Sequence, residues 1–378
     1  MAPIQSVRAS TNRASVPVCT IREASLHDHP GITDLQARYG LGTKSYDDWA
    51  HLWTGNPAYA EVKKNWPMGW VLEDASRRIV GYMGNIPLFY EYQLKRHIVS
   101  TGYSWVVDQE FRNYSMWLLD TLFRQPVDLF LNTTAGVQAF PAFKVYGPVQ
   151  VPAGEWDRCA FRITNYRAFA ESALRLRQIA APWLLSWGAA PALYCADRLK
   201  RSTSSPPQEF DPLDGFDFRF DIFWEELKAS SSDVLLADRS AAVLNWHFGP
   251  AMARGQVWAV VHAPCGRLKA YGIFVRQDNP EIGLTRIRLA DFQALDGGDA
   301  LRVPMIEWAA ERCRRERIQM LEVMGYQAED RPLAALLPRH RTLPSWQYYY
   351  LARDTELALQ LSNARAWRPY AYDGDASL

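Results

Sequence analysis

Glu322 stands inside the otherwise apolar run "IQMLEVMG". A carboxylate in a buried strand is costly without a cation or a proton beside it, so Glu322 is a candidate for acid–base work. The segment Asp296-Gly297-Gly298-Asp299-Ala300 precedes a helical pattern. Two glycines at a helix start suit a phosphate. Two aspartates oppose one, and a tight turn capped by Asp299 is the competing reading. Cys19, Cys159, Cys195, Cys265 and Cys313 have no metal spacing and form no CxxC, so they read as buried free thiols. His247 and His262 belong to no Ser-His-Asp or Cys-His arrangement that spacing can support. No Walker loop, HExxH or dinucleotide fingerprint is present. Arg312, Arg314, Arg315 and Arg317 crowd a predicted helix end, where they complement the helix dipole on a solvated face.

The chain that must position these groups has 378 residues, enough for two domains, and 48% of them are hydrophobic. Its 42 basic and 41 acidic residues nearly cancel, which argues against bulk nucleic-acid binding. Fifteen tryptophans point to broad apolar surfaces between layers. Residues 1–16 are polar, lack an apolar h-region and read as a disordered leader.

From about residue 18 to 165 the pattern is strand, helix, strand, strand, strand, helix, strand, helix, strand. Alternation predicts strands at "VCTIREA", "MGWVLED", "RIVGYMGNIPLFYEYQL", "HIVSTGYSWVVD" and "VDLFLN". Helical spacing marks "EFRNYSMWLLDTLF". After residue 216 two helices lead into a hairpin turning at 264–266, then strand, helix, strand, helix and a closing strand "SWQYYYLA". The order of the first half recurs, and an internal structural duplication is expected.

This order, with the motifs that follow, resembles the GNAT superfamily, in particular bacterial tandem-domain members similar to FemAB-type transferases. The resemblance implies an α+β fold with two tandem GNAT-like domains, each a mixed sheet flanked by helices. These would span residues 17–165 and 216–378, joined by a helical connector at 166–215. In that family two central parallel strands open to admit the pantetheine arm of an acyl-CoA, and backbone amides before the next helix take the pyrophosphate. The matching stretch here is Val106-Val107 and then Arg112-Asn113-Tyr114-Ser115. Arg112 matches the motif's first position, while Ser115 and Trp117 replace its glycines. Asn132 matches the asparagine often found on the next strand, and Gly147 matches the end of the family's closing helix. Phe143 holds the place of the family's usual acid tyrosine, leaving Tyr146 or Tyr114 as substitutes.

For the base, the family often draws a carboxylate from the central strands, and here Asp108 and Glu110 are the candidates. Their alternative is a capping Asp with a first-turn Glu. The resemblance implies an N-acyltransferase using an acyl-CoA or a phosphopantetheine thioester on an acyl carrier protein. Its acceptor would be an amino sugar or small metabolite, and its location cytoplasmic. A catalytically silent binding protein of the same fold is the second reading. "RSAAVLNWHF" and the terminal "YDGD" also resemble tandem GNAT-like proteins, without a role attached to either.

Residues 178–196 run without a charge between arginines at 175 and 177 and a charged cluster at 197–200. Two prolines and a glycine argue against a membrane span, leaving a packed connector helix or an interfacial helix in peripheral contact with a membrane.

Overall fold

The computed structural model describes residues 18–154, 156–199, 210–325, 331–343 and 346–378. The expected leader at 1–16 lies outside these residues, as does much of the linker that follows the connector.

The first half lays down β1 (Cys19–Glu23), α1 (His29–Arg38), α2 (Tyr46–Thr54), α3 (Pro57–Val62), β2 (Gly69–Asp74), β3 (Ile79–Tyr92) and β4 (Lys95–Val107). After β4 come α4 (Ser115–Phe123), β5 (Leu129–Ala135), α5 (Phe140–Tyr146), β6 (Val149–Gln150) and β7 (Arg158–Ile163). Two helices bridge the halves, α6 (Tyr166–Leu176) and α7 (Pro182–Arg198), followed by β8 (Asp211–Leu213). The second half comprises α8 (Phe218–Ser230), β9 (Leu236–Ala237), α9 (Ala241–Ala253), β10 (Val257–His262), β11 (Ala270–Arg276) and β12 (Arg286–Ala294). It ends with α10 (Arg302–Arg315), β13 (Met320–Met324), α11 (Arg331–Leu336), β14 (Arg339–Thr342), β15 (Gln347–Ala352) and α12 (Thr355–Leu361).

Local chemistry sets several boundaries. The Asn56 side chain accepts from the Ala58 N–H at 2.9 Å and starts α3. Asp354 does the same for α12 through the Leu357 N–H at 2.8 Å. Gly147, at φ 85°, closes α5, a conformation costly for any residue with a Cβ. Asp299 caps nothing: it sits inside a short 3-10 turn, Gly298–Leu301, and α10 starts after it. The Asp296–Gly298 stretch is a tight turn, with Gly297 at φ 78° and the Gly298 N–H bonded to the Leu295 carbonyl at 2.9 Å.

The fold is two mixed sheets flanked by helices, as the resemblance implies. Strand order in the first is β1-β2-β3-β4-β5-β15-β6, with β9 added alongside β3; in the second it is β14-β7-β13-β12-β11-β10-β8. The sheets do not divide at a single point in the sequence. β7 from the first half pairs antiparallel with β13, Glu322 opposite Phe161, while β15 from the second half pairs antiparallel with β5. Each half thus completes the other's sheet. One hydrophobic cluster runs through both, from Trp49, Trp53 and Tyr82 to Phe220, Trp224, Tyr271 and Ile273. Cys19, Cys159 and Cys313 are buried, whereas Cys195 and Cys265 are exposed.

Candidate functional site

In each sheet two neighbouring strands run parallel for a few residues and then part. β4 and β5 pair only at Val99–Leu129, Ser100–Phe130 and Thr101–Leu131. Beyond Thr101, β4 continues through Val107 and β5 through Ala135 without pairing to each other. β12 and β13 pair from Arg286–Met320 to Leu289–Val323, after which β12 continues to Ala294.

β4 leaves its partner through a bulge. Against β3 the register slips between Tyr82–Val106 and Gly84–Tyr103, placing Ser104 and Trp105 opposite one residue. Ser104 takes φ 58°, an uncommon value for a non-glycine residue, and its hydroxyl is held by the Gln36 amide at 2.7 Å. The two strands that part here each carry a buried polar atom without a hydrogen-bond partner, Trp105 Nε1 on β4 and Asn132 Oδ1 on β5. Strand alternation puts Asn132 on the face of Phe130, which packs on Phe123 of α4 and Phe143 of α5.

The chain's last residues treat the two openings differently. At the second, the Tyr372 N–H bonds the Ala290 carbonyl at 2.8 Å, one residue past the last β12–β13 pair, so the tail enters that gap as backbone. At the first, the tail meets β5 alone, with the Asp375 N–H donating to the Thr133 hydroxyl at 3.2 Å. Asp375 accepts from the Thr133 N–H at 2.8 Å and from its hydroxyl at 2.7 Å, and also from the Thr134 hydroxyl. Among the described residues no hydrogen bond from the tail reaches β4.

The expected site residues distribute around this frame. Val106 and Val107 end β4 beside the opening. Arg112 and Asn113 are exposed on a 3-10 turn, Gln109–Tyr114, that runs into α4. Ser115 begins the helix, with its hydroxyl donating to the Arg112 carbonyl at 2.7 Å. Tyr114 packs edge-on against Trp117, with ring centroids 4.7 Å apart. Tyr146 stacks on Phe123 and donates its hydroxyl to the Met116 carbonyl at 3.1 Å, and burial raises its pKa. Asp108 is buried at the foot of β4, 2.5 Å from Arg38 and 3.7 Å from Arg78. Glu110 is exposed on the 3-10 turn.

Glu322 belongs to a different place. It is fully buried and shared by Arg288 at 2.5 Å, Arg341 at 2.6 Å and Arg286 at 3.8 Å, and the Cys159 thiol lies 3.5 Å away. Burial alone would raise its pKa, but Arg288, with Arg286 and Arg341, outweighs burial and holds it at about 2. The site residues therefore fall into two groups, one around the β4–β5 opening and Glu322 in the second sheet.

Asp375 and Ser104 were not singled out by sequence. Asp375 lies in the "YDGD" segment, but nothing in the sequence ties it to Thr133. The left-handed turn at Ser104 has no signature in residue type. Among the described residues no group of His, Cys, Asp and Glu could hold a metal ion.

The whole chain can be laid on solved structures. Yeast N-myristoyltransferase with bound myristoyl-CoA and inhibitors (Saccharomyces cerevisiae) matches over 93% of this chain and 82% of its own, at 12% identity and TM-score 0.58. A GCN5-related N-acetyltransferase from Anabaena variabilis matches over 89% and 73%, at 10% identity and TM-score 0.50. A conserved Enterococcus faecalis protein described as a probable N-acyltransferase matches over 89% and 72%, at 10% identity and TM-score 0.51. The chain has a two-domain GNAT-like fold. At these identities the likeness concerns the fold alone. No family model and no curated protein matches the chain. Among the described residues no tail hydrogen bond reaches β4 in the first sheet, while in the second the chain's own tail is bonded to β12.

Proposed function

We propose that the protein is an N-acyltransferase that takes its acyl group from a pantetheine thioester lying along β4 in the first opening. The observation that carries this reading is the asymmetry of the two openings. At the second the tail bonds β12, whereas at the first it bonds β5 and, among the described residues, leaves the β4 edge with its bulge and the unpartnered Trp105 Nε1 without a tail hydrogen bond. Such an edge can bond the amides of a pantetheine arm as an added strand would.

In this reading the turn from Arg112 to Ser115 and the amides that open α4 receive the donor's phosphates. Backbone N–H groups near Ser104 are aimed at the thioester carbonyl and stabilise the oxyanion that forms on attack. Asp375 takes the proton from the acceptor ammonium, the amine nitrogen forms the amide bond, and the thiolate departs. Asp375 serves better than Asp108, whose carboxylate is committed to Arg38, and better than the solvent-facing Glu110. Tyr146, anchored on the first turn of α4, is the hydroxyl assigned to the thiolate. Glu322 takes no part in this step. Acyl-CoA is the favoured donor over an acyl carrier protein, in keeping with the bound ligand of the yeast enzyme. The acceptor is a small amine, such as an amino sugar.

A second reading, a silent binding protein, draws on Trp117, which stands exposed where a glycine would admit a pyrophosphate, and on the buried Phe143. A thermal-shift series with CoA, acetyl-CoA, longer acyl-CoAs and phosphopantetheine separates the two. A ligand at about 100 times its Kd raises stability by about 2.7 kcal/mol. A chain-length-dependent shift followed by amide formation supports the transferase; a shift without turnover for a panel of amines supports the binding protein. No shift with any thioester overturns both.

A further inference from the structure

Helix α7 is built inside out. Its two buried residues, Ser186 and Asp197, are polar, and Asp197 accepts from the Tyr166 hydroxyl at 3.0 Å and from Arg339 at 2.7 Å. Its exposed side is apolar: Trp183 and Trp187 are 58% and 59% exposed, with Leu184, Leu185 and Tyr194 exposed beside them. Leu199, just past the helix, is 89% exposed. Scattered exposed leucines need no explanation, but a continuous helical face with two tryptophans marks a surface that meets something apolar.

The charges around this face say what covers it. The sequence from 178 to 196 has none. Arg175 and Arg177 are exposed at one end and Arg198 at the other, and the sequence continues with Lys200 and Arg201. Arg167 stacks over the Trp187 ring at 3.8 Å. The nearby acids are committed, Glu171 to Arg175 at 2.5 Å and Asp197 to Arg339. An apolar stripe between basic ends suits a surface that is oily within and anionic at its rim. A second copy suits it poorly, because two such helices, paired parallel or antiparallel about a two-fold axis, set basic end against basic end. The helix is also not a span, since no helix among the described residues is long and apolar enough to cross a membrane.

We infer that α7 is an interfacial helix that docks the protein on an anionic lipid bilayer, with Trp183 and Trp187 entering the headgroup boundary. The inference rests on α7 alone and not on the reading of the activity.

The test is co-flotation of the full chain with vesicles of phosphatidylcholine alone and with an equimolar mixture of phosphatidylcholine and phosphatidylglycerol. The wild type is expected to float with the mixed vesicles and to release in high salt. A Trp183→Ser, Trp187→Ser variant is expected to lose partitioning on the order of tenfold per tryptophan. An Arg177→Glu, Arg198→Glu variant is expected to lose only the preference for the anionic mixture. All four side chains are exposed, so an unchanged melting temperature serves as the folding control. Failure of the wild type to float with either vesicle overturns the inference, as does equal flotation of the tryptophan variant. A dimer in solution that the tryptophan variant dissociates, without vesicle binding, also overturns it and assigns the face to a second copy.

Discussion

The Arg239 guanidinium and the Asp373 carboxylate lie 3.5 Å apart, both buried, and join the two sequence segments whose role was open. Arg239 begins "RSAAVLNWHF" and Asp373 belongs to "YDGD". Arg239 also makes a two-pronged contact with Asp291 on β12, at 2.9 and 3.1 Å, and the Tyr271 hydroxyl donates to the same carboxylate at 2.7 Å. Eight residues on from Arg239, in the same segment, His247 meets the Ser377 hydroxyl at 2.8 Å. The two segments form one buried polar network that fixes the tail, and the tail in turn bonds β12 through Tyr372 and β5 through Asp375.

Removing Arg239 leaves Asp291 buried without its cation. Arg239→Met is expected to destabilise the fold by about 3–5 kcal/mol, read from the urea midpoint. Because the network ties β12 to the tail, and the tail to β5, the loss should appear in one cooperative transition. Two separated transitions in the wild type would show that the sheets unfold independently.

If Asp375 accepts the proton from the acceptor amine, Asp375→Asn should lower kcat by about 100-fold or more. Affinity for the acyl-CoA should change little, because the amide oxygen still accepts from Thr133. Raising the pH, so that more acceptor arrives deprotonated, should recover part of the loss. A merely structural role would instead lower the melting temperature and leave the pH profile unaltered.

The donor assignment separates Arg112 from the strand edge. Arg112→Ala should raise the KM for acyl-CoA by on the order of tenfold, the effect of one lost charge-assisted phosphate contact. The KM for the matching phosphopantetheine thioester, which lacks the nucleotide, should move less. Equal effects on both would place the CoA phosphates elsewhere.

How much of this could be read from sequence depends on the range of each interaction. Most strands and helices were legible because their apolar period is local, as at β3 or α10. Glu322 was legible as an oddity, a carboxylate in an apolar strand. Its neutralisation was not, because Arg286 and Arg288 come from β12 and Arg341 from β14. The exchange of β7 and β15 was hidden as well, since an edge strand's pattern does not reveal which sheet it joins. The parallel β4–β5 pair that parts after Thr101 follows from the resemblance, whereas the contact between residues 133 and 375 joins segments too far apart for any local pattern to reveal.

Acid should expose the Glu322 cluster. Its pKa is held at about 2, below the ordinary 4.5, so the folded state binds fewer protons than the unfolded chain between these values. The stabilisation is fully present above pH 4.5 and is lost as the pH falls through about 2. His247, which burial holds at about 3 against 6.5 when free, adds a loss in the same direction that begins below pH 6.5. Asp373 opposes both, because burial raises it to about 6 and the folded state then gains protons first. Glu322→Gln isolates the first of these. The variant should be less stable than the wild type at neutral pH, with three arginines left without their anion, and its urea midpoint should fall less steeply below pH 4.5. An acid profile parallel to that of the wild type would mean that the three arginines do not hold Glu322 ionised.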